Sequence, residues 1–202
     1  MSGCGCERGD SEQLERKTLW VLLLINGVMF FVEAIAGWLA ESTGLLADSL
    51  DMFADAFVYG IALYAVGRSL QHKLKAATAS GVLQVILGLG VLLEVVRRFF
   101  YGSEPVSILM MSVGSIALVA NISCLLLISK HRESGIHMRA SWIFSANDVI
   151  ANLGVIVSGG LVLALGSRLP DLLIGTVIAA VVLRGGVKIL YEARQEQDLN
   201  EG

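Results

Sequence analysis

Apolar residues in this chain gather into six long runs, at positions 18–40, 44–68, 76–101, 105–129, 138–165 and 170–191. The breaks between them are short and polar: "ESTG", "SLQHKLK", "GSE", "KHRESGI" and "GSRLP". A helix needs roughly 20 apolar residues to cross a bilayer core, and each run meets that length. The pattern predicts an all-α integral membrane protein of six transmembrane helices. No break is long enough for a separate domain, so one bundle over 18–191 is expected, with a tail at 1–17 and a short one at 192–202. The first run follows seventeen mostly polar residues and is long enough to span, which reads as a membrane helix rather than a signal peptide.

The interruptions inside the runs carry the information. "LLADSLDMFADAF" places Asp48, Asp51 and Asp55 in the second run with no Lys or Arg nearer than Arg68. A charge at the bilayer centre costs at least ~2.5 kcal/mol on insertion scales, so these acids need a reason. On a helix they fall within a sector of about 60°, together with Tyr59, and Asp55 is too deep to reach an interface on a one-carbon stem. The fifth run, "RASWIFSANDVIANLG", sets Ser141, Ser145, Asp148 and Asn152 within about 60° of one another, with Asn147 about 100° away. The first aligns Asn26, Glu33 and Gly37, and the fourth adds Asn121 beside the small Gly114 and Ala117. A lone membrane Asn acts more often as interhelical glue than as a ligand. Gly81, Gln84 and Gly88 on the third run, and Gly175 with Ala179 on the sixth, read as packing surfaces.

Composition agrees with a membrane protein. Of 202 residues 55% are hydrophobic and 16% charged, and mean hydropathy is +0.71. The net charge is −3 and no basic block occurs, which points away from nucleic acid. Lys and Arg concentrate in the amino-terminal tail, in the breaks after the second and fourth runs, and at the carboxyl end. The positive-inside rule therefore puts both termini in the cytoplasm of a multi-pass protein of the inner cell membrane. Arg97 and Arg98 are discordant. Glu94 precedes them on the same helix, and the pair reads as interfacial and snorkelling.

Acids from two helices that converge in a low-dielectric interior cannot all stay ionised and unpaired, so they must hold protons or a cation. No Lys or Arg lies deep in the first, second, fourth or fifth run to neutralise them. A bound metal alternating with protons is the economical solution, and oxygen ligands suit several divalent ions. Softer ligands are peripheral. Cys4 and Cys6 form a C-x-C pair in the tail, either a site of metal capture or part of a disordered end. Cys124 reads as a buried small apolar residue. His72, His131 and His137 fall in breaks, as solvated loop residues or metal attractors.

Together, "FFVEAIAGWLAESTGLLADSLDMFADA" and "SANDVIANLGVIVSG" resemble the membrane domain of the cation diffusion facilitator family, which exports zinc and related divalent metals against protons. The resemblance spans all six runs and implies a metal site at Asp51, Asp55 and Asp148, with Glu33, Gly37 and Asp48 matching the surrounding pattern. Two departures stand out. Relatives carry a His or Asp four residues before the fifth-helix acid, whereas here that position is Phe144. The fourth ligand is then open among Ser145, Asn147, Asn152 and a water, Asn152 favoured by face and Asn147 by adjacency. In addition, the family's cytoplasmic metal-sensing dimerisation domain has no counterpart in "EARQEQDLNEG", so a homodimer is expected to form through membrane helices.

The resulting expectation is a proton-coupled antiporter for Zn2+ first, then Cd2+ and Co2+, with Mn2+ and Fe2+ as further cargo. It would be no enzyme and would keep no resident cofactor. Asp48, Glu33, Asn26 and Asn121 would line its polar pathway. The competing readings are a passive divalent-cation channel and a metal-dependent phosphatidyl-alcohol transferase. The transferase signature fails after its first two acids, where the chain reads "DMFADAFVYG".

Overall fold

A computed structural model describes the backbone of residues 4–65, 70–129 and 136–201, and within these the side chains of most residues, with 4–15 and 136–147 the main exceptions. Every element is a helix: α1 (Cys4–Leu39), α2 (Thr43–Ala65), α3 (Leu70–Tyr101), α4 (Ser107–Ser129), α5 (Ile136–Leu165) and α6 (Leu169–Glu201). The six expected runs are therefore six helices. α1 and α6 extend beyond their apolar parts through "CERGDSEQLERK" and "EARQEQDLNE", stretches rich in the straight-chain residues that lose little freedom in a helix.

Five helices are long and apolar enough to cross a membrane among the described residues. α2 is the exception, for a definite reason: every 18-residue window of Thr43–Ala65 contains Asp48, Asp51 and Asp55 together. The packing compensates for those acids. Among the described residues α2 touches all five other helices, whereas α1 touches only α2 and α4, and α3 only α2 and α6. The least apolar segment is thus the hub, screened from lipid by its neighbours. Large hydrophobic side chains such as Phe31, Trp38, Leu93, Ile108 and Leu173 point outward instead, as they do where the surroundings are hydrocarbon.

Small residues set the closest helix approaches. A Cβ on Gly81 of α3 would lie 3.0 Å from the carbonyl of Gly186 on α6 and 2.7 Å from Leu190. One on Gly37 would lie 2.9 Å from the backbone nitrogen of Leu46. The packing role expected of Gly81 is met, and Gly88 and Gly175 make similarly close approaches, to Leu183 and Thr43.

At the end away from the termini the connections are tied together. Asp171, fully buried in the first turn of α6, accepts hydrogen bonds from Ser42 Oγ at 2.5 Å, Thr43 N and Oγ1 at 2.7 Å, and Gly44 N at 3.0 Å. Ser42 in turn caps α2 by accepting from Leu45 N at 3.1 Å. The otherwise unpaired amides at the start of α2 thus find a carboxylate, which also complements the helix dipole. Val106 N donates to Ala40 O at 2.9 Å, and Arg168 Nη2 donates to Phe99 O at 3.2 Å.

Candidate metal centre

α2 carries its acids on one face, as their spacing requires. Asp48 and Asp55 are 1% and 8% exposed, Tyr59 is buried and Asp51 is half-buried. α5 brings Asp148, 8% exposed, near Asp51 and Asp55, close enough for their charges to interact. On the other side, α1 brings the fully buried Glu33 near Asp48. The bundle interior thus holds a ladder of carboxyl groups, Glu33 and Asp48 above, Asp51, Asp55 and Asp148 below.

Among the described residues no Lys or Arg forms an ion pair with this ladder. Both carboxyl oxygens of Glu33 and Oδ2 of Asp48 are buried without a hydrogen-bond partner. The described ion pairs all lie elsewhere, on α3 and α6. Among the described residues no three His, Cys, Asp or Glu side chains are gathered closely enough to hold one metal ion together. The acids meet in pairs rather than converging on a point.

The other expected polar residues divide. Asn26 donates to Leu22 O at 2.9 Å and toward Cys124 Sγ at 3.8 Å, tying α1 to α4, so its amide acts as glue and Cys124 is a buried apolar residue as expected. Asn121 is buried with both amide atoms unpartnered. Asn152, fully buried, donates to Asp148 O at 2.8 Å and leaves Oδ1 unpartnered one turn from Asp148. The side chains of Ser145, Asn147 and Phe144 lie outside the described residues, as do those of Cys4, Cys6, His72, His131 and His137.

A cavity of about 180 Å³ adjoins the ladder in the half of the bundle nearer the termini, lined by Asp55, Tyr59, Ser80 and Gln84 with apolar neighbours from α2, α3 and α6. Gln84 was expected only to pack. In the structure it is buried, beside Gly185 of α6, with Oε1 unpartnered on this cavity. The available signal was Ser80 and Gln84, one turn apart on the same face of an otherwise apolar run.

The sequence matches the family described as cation efflux transmembrane domain over residues 19–196. The chain belongs to that family. Among its relatives is the zinc transporter ZitB of Yersinia pseudotuberculosis, 27% identical over 95% of this chain and 68% of the relative. Another is the cadmium, cobalt and zinc/H(+)-K(+) antiporter of Bacillus velezensis, 25% identical over 85% of this chain and 59% of the relative. Zinc homeostasis factor 1 of Schizosaccharomyces pombe is 33% identical over 54% of this chain and 32% of that protein. The cation efflux family is a transporter family, and this member is a multi-pass membrane protein.

Proposed function

We propose that this chain exports divalent transition-metal cations from the cytoplasm in exchange for protons, with Asp51, Asp55 and Asp148 as the ligands that alternate between metal and proton. The observation that carries the reading is the approach of Asp148 on α5 to Asp51 and Asp55 on α2, where no Lys or Arg among the described residues pairs with them. Buried carboxylates without a fixed counter-charge stay in lipid only as proton carriers or cation ligands. The named activities of the bacterial relatives favour zinc, followed by cadmium and cobalt.

In the mechanism, metal arrives through the cavity beside Asp55, where Tyr59 and Gln84 offer oxygen atoms along the way. It displaces protons from the acids and draws their paired side chains together. Asn152 Oδ1, Asn147, Ser145 or a water completes the coordination in place of the absent fifth-helix imidazole or carboxylate. Release needs the outer end to open, which would move the α3 and α6 pair against the other four helices, since α3 packs only on α6 and α2. Glu33 and Asp48 lie on the outward side of the ladder and would hold a proton between them, with Asn26 and Asn121 supporting the polar path. A homodimer through membrane helices completes the reading, and Cys4 and Cys6 would capture metal at the cytoplasmic face.

The test is uptake into proteoliposomes of zinc, cadmium, cobalt and manganese, with and without an imposed pH gradient. Zinc uptake driven by an outward proton gradient, with an acidic vesicle interior, supports antiport. Flux that ignores the gradient overturns it in favour of a channel.

A further inference from the structure

Arg98 is not the snorkelling side chain its position suggested. It is 3% exposed, its Nε donates to Glu94 Oε1 at 2.6 Å, and its Nη1 is buried with no acceptor. Arg97 takes the other side of Glu94, at 2.6 and 2.7 Å, and remains exposed. One carboxylate therefore serves two guanidinium groups, leaving an unsatisfied donor on Arg98. Both arginines line a cavity of about 850 Å³ that also includes Glu41, Glu94, Trp38 and Tyr101.

The cavity sits on the outer end of α2, between α1 and α3, which make no contact with each other among the described residues. It therefore opens sideways to the surroundings of the bundle. Trp38 and Tyr101 at its rim are 72% and 86% exposed, aromatic residues of the kind that sit at headgroup level. Its second charge is Glu41, exposed on the α1–α2 turn, where one carboxylate oxygen accepts from Glu104 N at 3.1 Å. The lining is thus cationic at Arg97 and Arg98 and anionic at Glu41.

We infer that this cavity is a binding site for the headgroup of a zwitterionic phospholipid, its phosphate diester on Arg98 and Arg97 and its ammonium on Glu41. A guanidinium with a free terminal nitrogen is the natural donor to a phosphate oxygen. A carboxylate on the same cavity selects a headgroup that carries a cation over one that does not. The acyl chains would leave through the gap between α1 and α3. The inference stands apart from the transport reading, because it uses none of the acids on α2 or α5.

The test is native mass spectrometry of the delipidated full chain in detergent, titrated with phosphatidylethanolamine, phosphatidylglycerol, diacylglycerol or inorganic phosphate. Phosphatidylethanolamine should be retained about tenfold better than diacylglycerol. Arg98→Gln should remove most of that gain, and Glu41→Gln should erase the preference for phosphatidylethanolamine over phosphatidylglycerol. If Arg98→Gln does not fold, Arg97→Gln, at an exposed position, carries the same test and should cut retention severalfold. Retention unchanged in the arginine variants, diacylglycerol bound equally well, or millimolar phosphate displacing the lipid would each overturn the inference. So would a dimer whose formation expels the lipid.

Discussion

Two sets of buried carboxyl groups lie within the same bundle and are treated in opposite ways. Asp171 is fully buried and accepts four hydrogen bonds from Ser42, Thr43 and Gly44. Glu33 is equally buried and finds no donor, and Asp48 leaves one oxygen bare. These donors pin Asp171, and with it α6, to the α1–α2 turn. Among the described residues Glu33 has no such donor and Oδ2 of Asp48 has none, so under the proposed function their charge is balanced by something that comes and goes. Equal burial thus hides opposite hydrogen-bonding environments.

The comparison breaks most decisively at the lower ladder. Asp51→Ala, Asp55→Ala and Asp148→Ala should each reduce proteoliposome metal uptake to background while the purified protein keeps its helical circular dichroism, because each loses a ligand and also relieves crowding among like charges. Uptake surviving any one of them removes that residue from the ligand set.

Asp171→Ala should show the reverse pattern. Stranding the donors of Ser42, Thr43 and Gly44 should cost about 3 kcal/mol or more of stability, read by denaturant unfolding in detergent. The fraction that stays folded should still transport. If transport vanished with no loss of stability, Asp171 would belong to the pathway and the contrast would fail.

Glu33→Gln sharpens the contrast through its sign. Replacing an unpaired buried acid by a neutral amide should leave stability unchanged or raise it by about 1 kcal/mol, while uptake slows severalfold and Asp48→Asn weakens rather than abolishes it. A destabilisation as large as that of Asp171→Ala would mean that Glu33 has permanent partners.

A smaller effect is expected at Phe144, one turn before Asp148 on α5. Phe144→His should raise zinc uptake over manganese by roughly threefold in a competition assay, since imidazole suits zinc better than harder ions. An unchanged ratio in an active variant would show that position 144 faces away from Asp148. The smallest effect belongs to the tail: deleting residues 1–9, with Cys4 and Cys6, should leave uptake at saturating metal unchanged, and its loss in correctly inserted protein would put the tail in the pathway.

Six runs of apolar residues were enough to specify six helices, and the period of Asp48, Asp51, Asp55 and Tyr59 was enough to put them on one face, because both properties are local to a helix and lipid tolerates no other backbone solution. The partners of those acids were not local. Glu33 could be matched to Gly37 and Asn26 on its own helix, but its approach to Asp48 depends on α1 lying against α2. The twin environments of Asp171 and Glu33 look alike as single acids in apolar sequence, and only the arrival of the α1–α2 turn at the start of α6 gives one its donors. Gln84 packs on α6 as expected and also lines a cavity, whereas Arg98 was misread as snorkelling: in both cases the neighbouring helices decided that the side chain would line a cavity. Helix formation and amphipathic faces follow from residue order, whereas the partner of a buried polar atom is set by which helices touch, and that is a property of the packed bundle.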